Sequence, residues 1–221
     1  MPSATSGSSP TLTEMQAVLS VPRLSTYLAA CSGDSDTAVQ LYLWNAAAAS
    51  SLMLPMHFAE VSTRNVVADA LESVYGTRWP WNHSFEFSLP SPQRGFNPRS
   101  ELVSVRSRET TTGKVVAELK FVFWQKMFTQ RFDARLWDGH ILSLFPNSTA
   151  TADSDLRARI YSDLEVIRKL RNRMAHHEPI FARNLSAELE QILDLIELRS
   201  VEVAAWVRAN EKVSRSLQTK P

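Results

Sequence analysis

Apolar residues recur three and four positions apart along most of the chain, and strict alternation of apolar and polar residues is rare. A period of about 3.6 residues is typical of amphipathic helices, whereas alternation is typical of half-buried strands. Glycine, which breaks regular structure, occurs only six times. The pattern therefore predicts an all-α protein.

The longest periodic segment runs from about residue 37 to residue 75. The residues SGDSD before it supply helix N-cap side chains, and Gly76 is expected to end the helix. Pro55 lies inside the segment and is expected to kink or split it. One continuous apolar face is predicted for Leu41, Trp44, Ala48, Leu52 and Met56, which are spaced 3, 4, 4 and 4 apart.

Shorter periodic segments predict further helices on both sides of this one. A capping-box pattern of Thr11 and Glu14 precedes MQAVLS, and a second helix is expected near RLSTYLAAC. GKVVAELKFVFWQKMF has residues of high strand propensity, but its length and apolar spacing favour a helix. The remaining predicted helices are SELVSVRSR, RFDARLWDGHILSLF, about 154–176 and about 186–210.

Residues 77–100 contain four prolines and one glycine, so we expect an irregular connection there. Its aromatic residues are expected to pack on the helical body: Trp79, Trp81, Phe85 and Phe87. We predict a disordered tail at 1–10, a single domain at 11–210 and a frayed polar tail at 211–221.

Charge and cysteine content narrow the possible functions. The formal net charge is +1, so a polyanion partner is not predicted from the charge of the whole molecule. Cys31 is the only cysteine, which excludes an internal disulfide and fits a reducing compartment. The first ten residues lack the features of a signal peptide, and the most apolar run is too short to span a bilayer. We expect a cytoplasmic protein that has no membrane contact.

Candidate chemistry is concentrated in RNRMAHHEPIF, residues 171–181. Arg171 has the spacing of the predicted buried stripe, where a charge is costly unless it is paired or used. Pro179 predicts that the helix ends near His176. On a regular helix Arg171 and His176 are about 140° apart, so we expect unwinding at the helix end to turn the His176 ring towards Arg171. The stripe comprises Leu156, Ile160, Leu164, Ile167 and Met174.

These side chains suit the chemistry of a phosphodiester. Histidine can transfer protons near neutrality, arginine offers a permanent planar charge for phosphate, and Asn172 can orient an imidazole. From Arg157 to Arg183 there are seven basic and three acidic residues, a local charge of +4. Two other interpretations are a solvated basic face and histidines favoured by the helix dipole. A metal site at His176, His177 and Glu178 is disfavoured because adjacent histidines seldom converge on one ion, so we predict neither metal nor cofactor.

Arg171 to His176 resembles the R-N-x3-H motif of HEPN ribonucleases. The longer IRKLRNRMAHHEPIF is similar to the Abi-like branch of that superfamily, the abortive-infection proteins of phage resistance. Other segments are similar to that branch in the same order: RLSTYL, AVQLYLWNAAAASSLMLP, EVSTRN, VYGTRW and AELKFVFWQKMF. The resemblance covers about residues 15–205.

This resemblance implies a HEPN-type helical bundle with additional helices, usually a homodimer in which both motifs face one cleft. It also implies metal-independent cleavage of RNA, in phage defence or as a toxin. Arg171 would bind the scissile phosphate, His176 would act as general base or acid, and Asn172 would orient His176. The alternative is a catalytically silent HEPN module that binds RNA or a partner protein.

The resemblance also implies supporting residues. Glu60, Arg64 and Asn65 match a second polar cluster that lies against the motif helix in this superfamily. A simpler interpretation of Glu60 and Arg64 is a surface pair worth about 0.3–0.5 kcal/mol. Further candidates for a supporting or RNA-binding role are Arg168, Arg173 and His177.

A cognate antitoxin is a possible further partner. HEPN toxins that are paired with a nucleotidyltransferase antitoxin typically carry a tyrosine two residues after the motif histidine. That position is Glu178 in this chain, so it offers no tyrosine for adenylylation.

Overall fold

A computed structural model of the chain describes residues 10–221. The disordered tail expected at 1–10 therefore lies, apart from Pro10, outside the described residues. Within residues 10–221 the backbone forms helices, turns and loops and contains no strand, so the all-α prediction is confirmed. The α-helices are α1 (Leu12–Leu19), α2 (Val21–Ala30), α3 (Ser35–Tyr75), α4 (His83–Ser88), α5 (Pro98–Arg106), α6 (Thr112–Glu118), α7 (Phe121–Met127), α8 (Ile141–Leu144), α9 (Asp153–Ala175), α10 (Leu185–Glu197), α11 (Val201–Asn210) and α12 (Val213–Leu217).

The 41-residue helix α3 is the central element, and α2, α7, α9, α10 and α12 all pack against it. Asp34 caps its first turn through the Thr37 N–H, and Gly76 ends it with φ +80° as expected. The helix continues through Pro55, so the expected splitting does not occur. A proline inside a helix costs about 3 kcal/mol, and the buried face that flanks Pro55 offsets this cost.

Helix α9 packs its apolar stripe against the core, but one position of the stripe is not the predicted residue. Leu170 is fully buried, whereas the side chain of Arg171 is 45% exposed. Both positions have helical spacing to Ile167 and Met174, and the apolar one of the two faces the core because burying it requires no charge compensation. The prediction that Arg171 lies on the buried stripe is therefore wrong.

The connection between α3 and α5 contains more helix than expected, with a 3-10 turn at Trp79–Trp81 followed by α4. Trp79 and Phe85 are fully buried and meet edge to face, and Trp81 is partly buried. The packing prediction is confirmed for these residues. It is wrong for Phe87, which is 63% exposed beneath the guanidinium of Arg99.

Three predicted helices are interrupted. The GKVVAELKFVFWQKMF segment forms α6 and α7, which are separated at Leu119 and Lys120. RFDARLWDGHILSLF forms a 3-10 turn, a π turn at Asp133–Trp137 and the short α8. The last predicted helix divides into α10 and α11 at Ser200, whose hydroxyl accepts a hydrogen bond from the Val203 N–H.

The segment expected to be a frayed tail at 211–221 instead packs on the body of the protein. It forms α12 against α3 and α10, and Val213 is fully buried. The indole N–H of Trp44 donates to the carbonyl of Ser216 at 2.7 Å. The hydrophobic core extends from Tyr27 to Val213, so this segment is part of it.

None of the helices in the described part of the chain combines the length and the apolar character that crossing a membrane requires.

Candidate functional site

The end of α9 forms a tight turn that determines which histidine faces the body of the protein. His176 is the C-cap, and His177 has φ +54°, the left-handed conformation. The His177 N–H donates to the Met174 carbonyl at 3.0 Å, and the Glu178 N–H donates to the Arg173 carbonyl at 2.8 Å. This is a Schellman motif, in which glycine usually occupies the position of His177. The left-handed conformation costs a residue with a Cβ about 1–2 kcal/mol.

Side chains from α2 and from the last turn of α9 itself hold the loop that follows this turn. Arg23 of α2 donates from Nη1 to the His177 carbonyl at 2.7 Å. Arg173 donates from Nε to the Pro179 carbonyl at 3.0 Å, and the same nitrogen lies 3.6 Å from the Glu178 carboxylate. Arg173, a candidate RNA-binding residue, is thus engaged in the structure of the turn.

The buried amide of Asn45 on α3 holds the next two residues. Its Oδ1 accepts hydrogen bonds from the N–H groups of Ile180, at 2.7 Å, and Phe181, at 3.1 Å. Lys220 donates to the Phe181 carbonyl at 2.8 Å. Sequence reasoning missed Asn45 and Arg23, because each acts through the backbone of a segment more than a hundred residues away along the chain.

A cavity of about 400 Å³ lies between α3 and the end of α9. Its wall is largely apolar and includes Met53, Met56, Val61 and Met174. Its polar lining combines the two regions singled out in the sequence, together with one further histidine: His57, Glu60, Arg64, Arg171 and His177. Folding thus brings two arginines, two imidazoles and a carboxylate into one cavity.

The ion pair in this cavity is loose. Glu60 Oε2 lies 4.0 Å from Arg171 Nε, which exceeds the length of a hydrogen bond, and both side chains are partly exposed. Pairs of this kind contribute about 0–1 kcal/mol. An anion that enters the cavity can therefore replace the carboxylate at the Arg171 guanidinium at little cost.

His57 is a cavity residue that sequence reasoning missed. It lies on the same face of α3 as Glu60 and Arg64, because separations of three and seven residues return to one side of a helix. Its ring meets the Phe58 ring edge to face at 5.6 Å. The spacing from His57 to Glu60 and Arg64 is the signal that could have identified it.

A larger groove of about 760 Å³ adjoins this cavity along α3, α6 and α11. The two share His57, Val61 and Arg64, and Asn65 lines only the groove. Asn65 is therefore near the candidate site without facing Arg171.

Arg168 lies apart from the cavity in an ion cluster. Its Nη2 and Nε approach the two carboxylate oxygens of Glu165 at 2.8 and 3.3 Å, and Gln125 Nε2 donates to Glu165 at 2.6 Å. Burial opposes ionisation of Glu165, but the hydrogen bonds from Gln125 and Arg168 outweigh burial and lower the pKa of Glu165 to about 2. Arg168 is thus committed to a structural pair.

His176 and Asn172 do not line the cavity. His176 is exposed, and its backbone N–H donates to the Asn172 carbonyl at 3.0 Å, which is a helical bond. In the part of the chain that the structure describes, no hydrogen bond joins the Asn172 side chain to the His176 ring. The unwinding expected at the helix end does occur, but the histidine that lines the cavity together with Arg171 is His177 and not His176.

Within residues 10–221, no three side chains of His, Cys, Asp or Glu are grouped so that they could hold a metal ion. This includes His176, His177 and Glu178.

Comparison with known proteins gives no match to this chain among family models, curated proteins or solved structures.

Proposed function

We propose that the protein is a metal-independent endoribonuclease of the HEPN superfamily, similar to its Abi-like branch, that cleaves single-stranded RNA. The observation that carries the proposal is the cavity in which Arg171 and His177 meet Glu60 and Arg64. The resemblance singled out these two regions separately, and they are far apart along the chain. Phage defence by abortive infection, or action as a toxin, is the biological role that goes with this activity.

The side chains of the cavity suit cleavage by an internal nucleophile. RNA carries its own nucleophile, the 2′-hydroxyl beside the phosphate, so no external one has to be generated. Arg171 and Arg64 offset the charge that develops on the phosphoryl oxygens, and an imidazole takes the proton of the hydroxyl. In this proposal His177, which lines the cavity with Arg171, supplies this imidazole, whereas the motif alone selects His176.

Single-stranded RNA is the proposed substrate because the larger groove adjoins the cavity. Arg64 lines both the cavity and the groove. When a phosphate binds at Arg171, the nucleotides next to it can therefore lie in the groove along α3. An unpaired strand can adopt the in-line geometry and can splay its bases into such a groove.

We propose a homodimer that buries the exposed side of α3 next to the cavity. Leu43 and Met53 are both at least 60% exposed on this helix, and Met53 also lines the cavity. Contiguous exposed apolar patches mark protein interaction sites, and Ala46, between these two residues on the same side of α3, is exposed as well. His176, exposed at the end of α9, is then available to the partner copy.

The test is incubation of the purified protein with single-stranded RNA, with and without EDTA. We expect cleavage in both, with 2′,3′-cyclic phosphate and 5′-hydroxyl ends, and no cleavage at a bond whose nucleotide carries a 2′-deoxy substitution. Arg171→Ala should abolish cleavage. The matched control is Arg159→Ala on the same helix, because its side chain is 44% exposed and its loose ion pairs are 3.5 Å long.

The second candidate function is a catalytically silent module that binds RNA or a partner protein. It is favoured by the position of His176, which does not line the cavity. Tight binding of single-stranded RNA without any cleavage would support this function over the ribonuclease. Cleavage at the 2′-deoxy bond would contradict the proposed mechanism.

A further inference from the structure

We infer that His57 is a second catalytic residue, so that His57 and His177 of one chain form the proton-transfer pair on either side of a phosphate held by Arg171. The inference rests on the proposed ribonuclease function. It goes beyond it by placing both the general base and the general acid within a single cavity of one chain.

Both imidazoles are free to serve a substrate. Among the described residues, neither ring donates or accepts a hydrogen bond, and neither forms an ion pair. The hydrogen bonds of His177 all involve its backbone N–H and carbonyl. Within residues 10–221, the only ring contact of His57 is with Phe58. An imidazole whose nitrogens are unoccupied can bind the 2′-hydroxyl or the leaving oxygen directly.

The two histidines are held by rigid parts of the fold. His57 lies on α3 beside the buried Met56, so the core fixes the position of its backbone. His177 is held by the turn at the end of α9 and by Arg23, which binds its carbonyl. Catalytic side chains require this kind of support, because a displacement of about 1 Å can cost a factor of about 100 in rate.

The backbone of His177 gives an independent reason to assign it a function. Its left-handed conformation favours glycine, yet the chain places there a histidine that lines the cavity. Backbone conformations of this kind are concentrated at functional sites. Ser32 has the same φ at the end of α2 but lines no part of this cavity, so a left-handed residue alone does not indicate a site.

The reaction needs two proton transfers, and the cavity supplies two groups for them. One neutral imidazole takes the proton of the 2′-hydroxyl while the 2′-oxygen forms a bond to phosphorus. The bond from phosphorus to the 5′-oxygen breaks, and that oxygen takes a proton from the other, protonated imidazole. The products are a 2′,3′-cyclic phosphate and a 5′-hydroxyl, and the two histidines have exchanged protonation states.

The test uses His57→Ala and His177→Ala, with His83→Ala as the matched control. Like His57, His83 is an exposed histidine on a helix, and its ring lies against a phenylalanine, Phe87. His83 does not line the cavity. Each cavity variant should lower the cleavage rate about 10²–10⁴-fold, whereas the control should cut as wild type does. Thermal unfolding of each variant confirms that it folds.

A second substrate separates the acid from the base. When sulfur replaces the 5′-oxygen at the scissile bond, the leaving thiolate needs no protonation. The variant that lacks the acid should then recover most of its rate, and the variant that lacks the base should not. Recovery of both variants, or of neither, would overturn the division of roles between His57 and His177.

Mixing the two variants tests whether the pair lies in one chain. If His57 and His177 act in the same cavity of the same chain, a mixture of His57→Ala and His177→Ala should remain as inactive as either alone. Recovery in the mixture would place the two imidazoles on different copies and overturn the inference. A fully active His57→Ala protein would also overturn it while leaving the ribonuclease proposal intact. Absence of cleavage by the wild type would instead refute the ribonuclease proposal itself.

Discussion

Replacing His177 by glycine should stabilise the protein and sharply slow the RNA cleavage that we propose. His177 has φ +54° at the position of the Schellman motif where glycine is preferred. His177 is exposed to solvent and lines the cavity, so little packing is lost with the imidazole. The bond from Arg23 reaches the backbone carbonyl of residue 177 and remains in the variant.

The size of the gain follows from two opposing terms. Relief of the left-handed conformation contributes about 1–2 kcal/mol, and the greater freedom of glycine in the unfolded chain removes about 0.4–1 kcal/mol. The net increase in the free energy of unfolding is therefore about 0.5–1 kcal/mol. For a chain of 221 residues this raises Tm by about 1–4 °C.

Ser32→Gly is the matched control for the His177→Gly variant. Ser32 also has φ +54°, is exposed, and occupies the same position of a Schellman motif, in which the Gly33 N–H donates to the Leu28 carbonyl at 2.8 Å. Differential scanning calorimetry should give similar increases in Tm for both variants, and only the Ser32 variant should cut RNA as wild type does. A lower Tm for His177→Gly beside a raised one for Ser32→Gly would show that the imidazole stabilises the fold. Unchanged cleavage by His177→Gly would remove His177 from the site.

Three further predictions concern parts of the fold around the site. The pKa of Glu165 is lowered from 4.5 to about 2, so the ionised carboxylate stabilises the fold above pH 4.5 and this stabilisation is lost as the pH falls towards 2. Glu165→Gln should therefore make the free energy of unfolding less dependent on pH between about 4.5 and 2. Asn45→Ala leaves the N–H groups of Ile180 and Phe181 without their acceptor, so the free energy of unfolding measured in urea should fall by about 1–3 kcal/mol. The same variant should also slow the proposed cleavage. Val213→Ala should lower the free energy of unfolding by about 2 kcal/mol in the same assay, because each buried CH₂ contributes about 0.8 kcal/mol and the cavity left behind adds to the loss. An unchanged urea midpoint would contradict the packing of α12.

The elements that local chemistry determines were predictable from the sequence. The capping box at Thr11 and the glycine that ends α3 are both where the pattern places them. The breaks at Lys120 and Ser200 were not predictable, because apolar spacing continues across them and only the packing of the flanking helices requires a turn. The side of α9 that faces the core is a similar case. The spacing allows either Leu170 or Arg171 to be buried, and the surrounding core selects the apolar Leu170.

The components of the candidate site were partly predictable, but their arrangement was not. The motif around Arg171 and the polar face that includes Glu60 could each be found in the sequence alone. The choice between His176 and His177 depends on the sign of one φ angle in a turn that usually contains glycine, and residue propensities do not indicate that a histidine adopts it. His57 was overlooked because its spacing to Glu60 and Arg64 indicates only a shared face of α3, and the element that this face meets is known only from the fold.

The way the loop after α9 is held explains how an exposed site can still be precise. Arg23 of α2 and Asn45 of α3 bind its backbone from two sides, and Lys220 binds it from the C-terminal segment. Each of these bonds ends on a main-chain atom, so the imidazole of His177 remains free for a substrate while its backbone is fixed. The cavity wall on the other side is α3, whose position the core determines. Proton transfer requires heavy atoms within about 2.6–3.2 Å of each other, so a fixed backbone with unoccupied ring nitrogens is the arrangement that the proposed role of His177 requires.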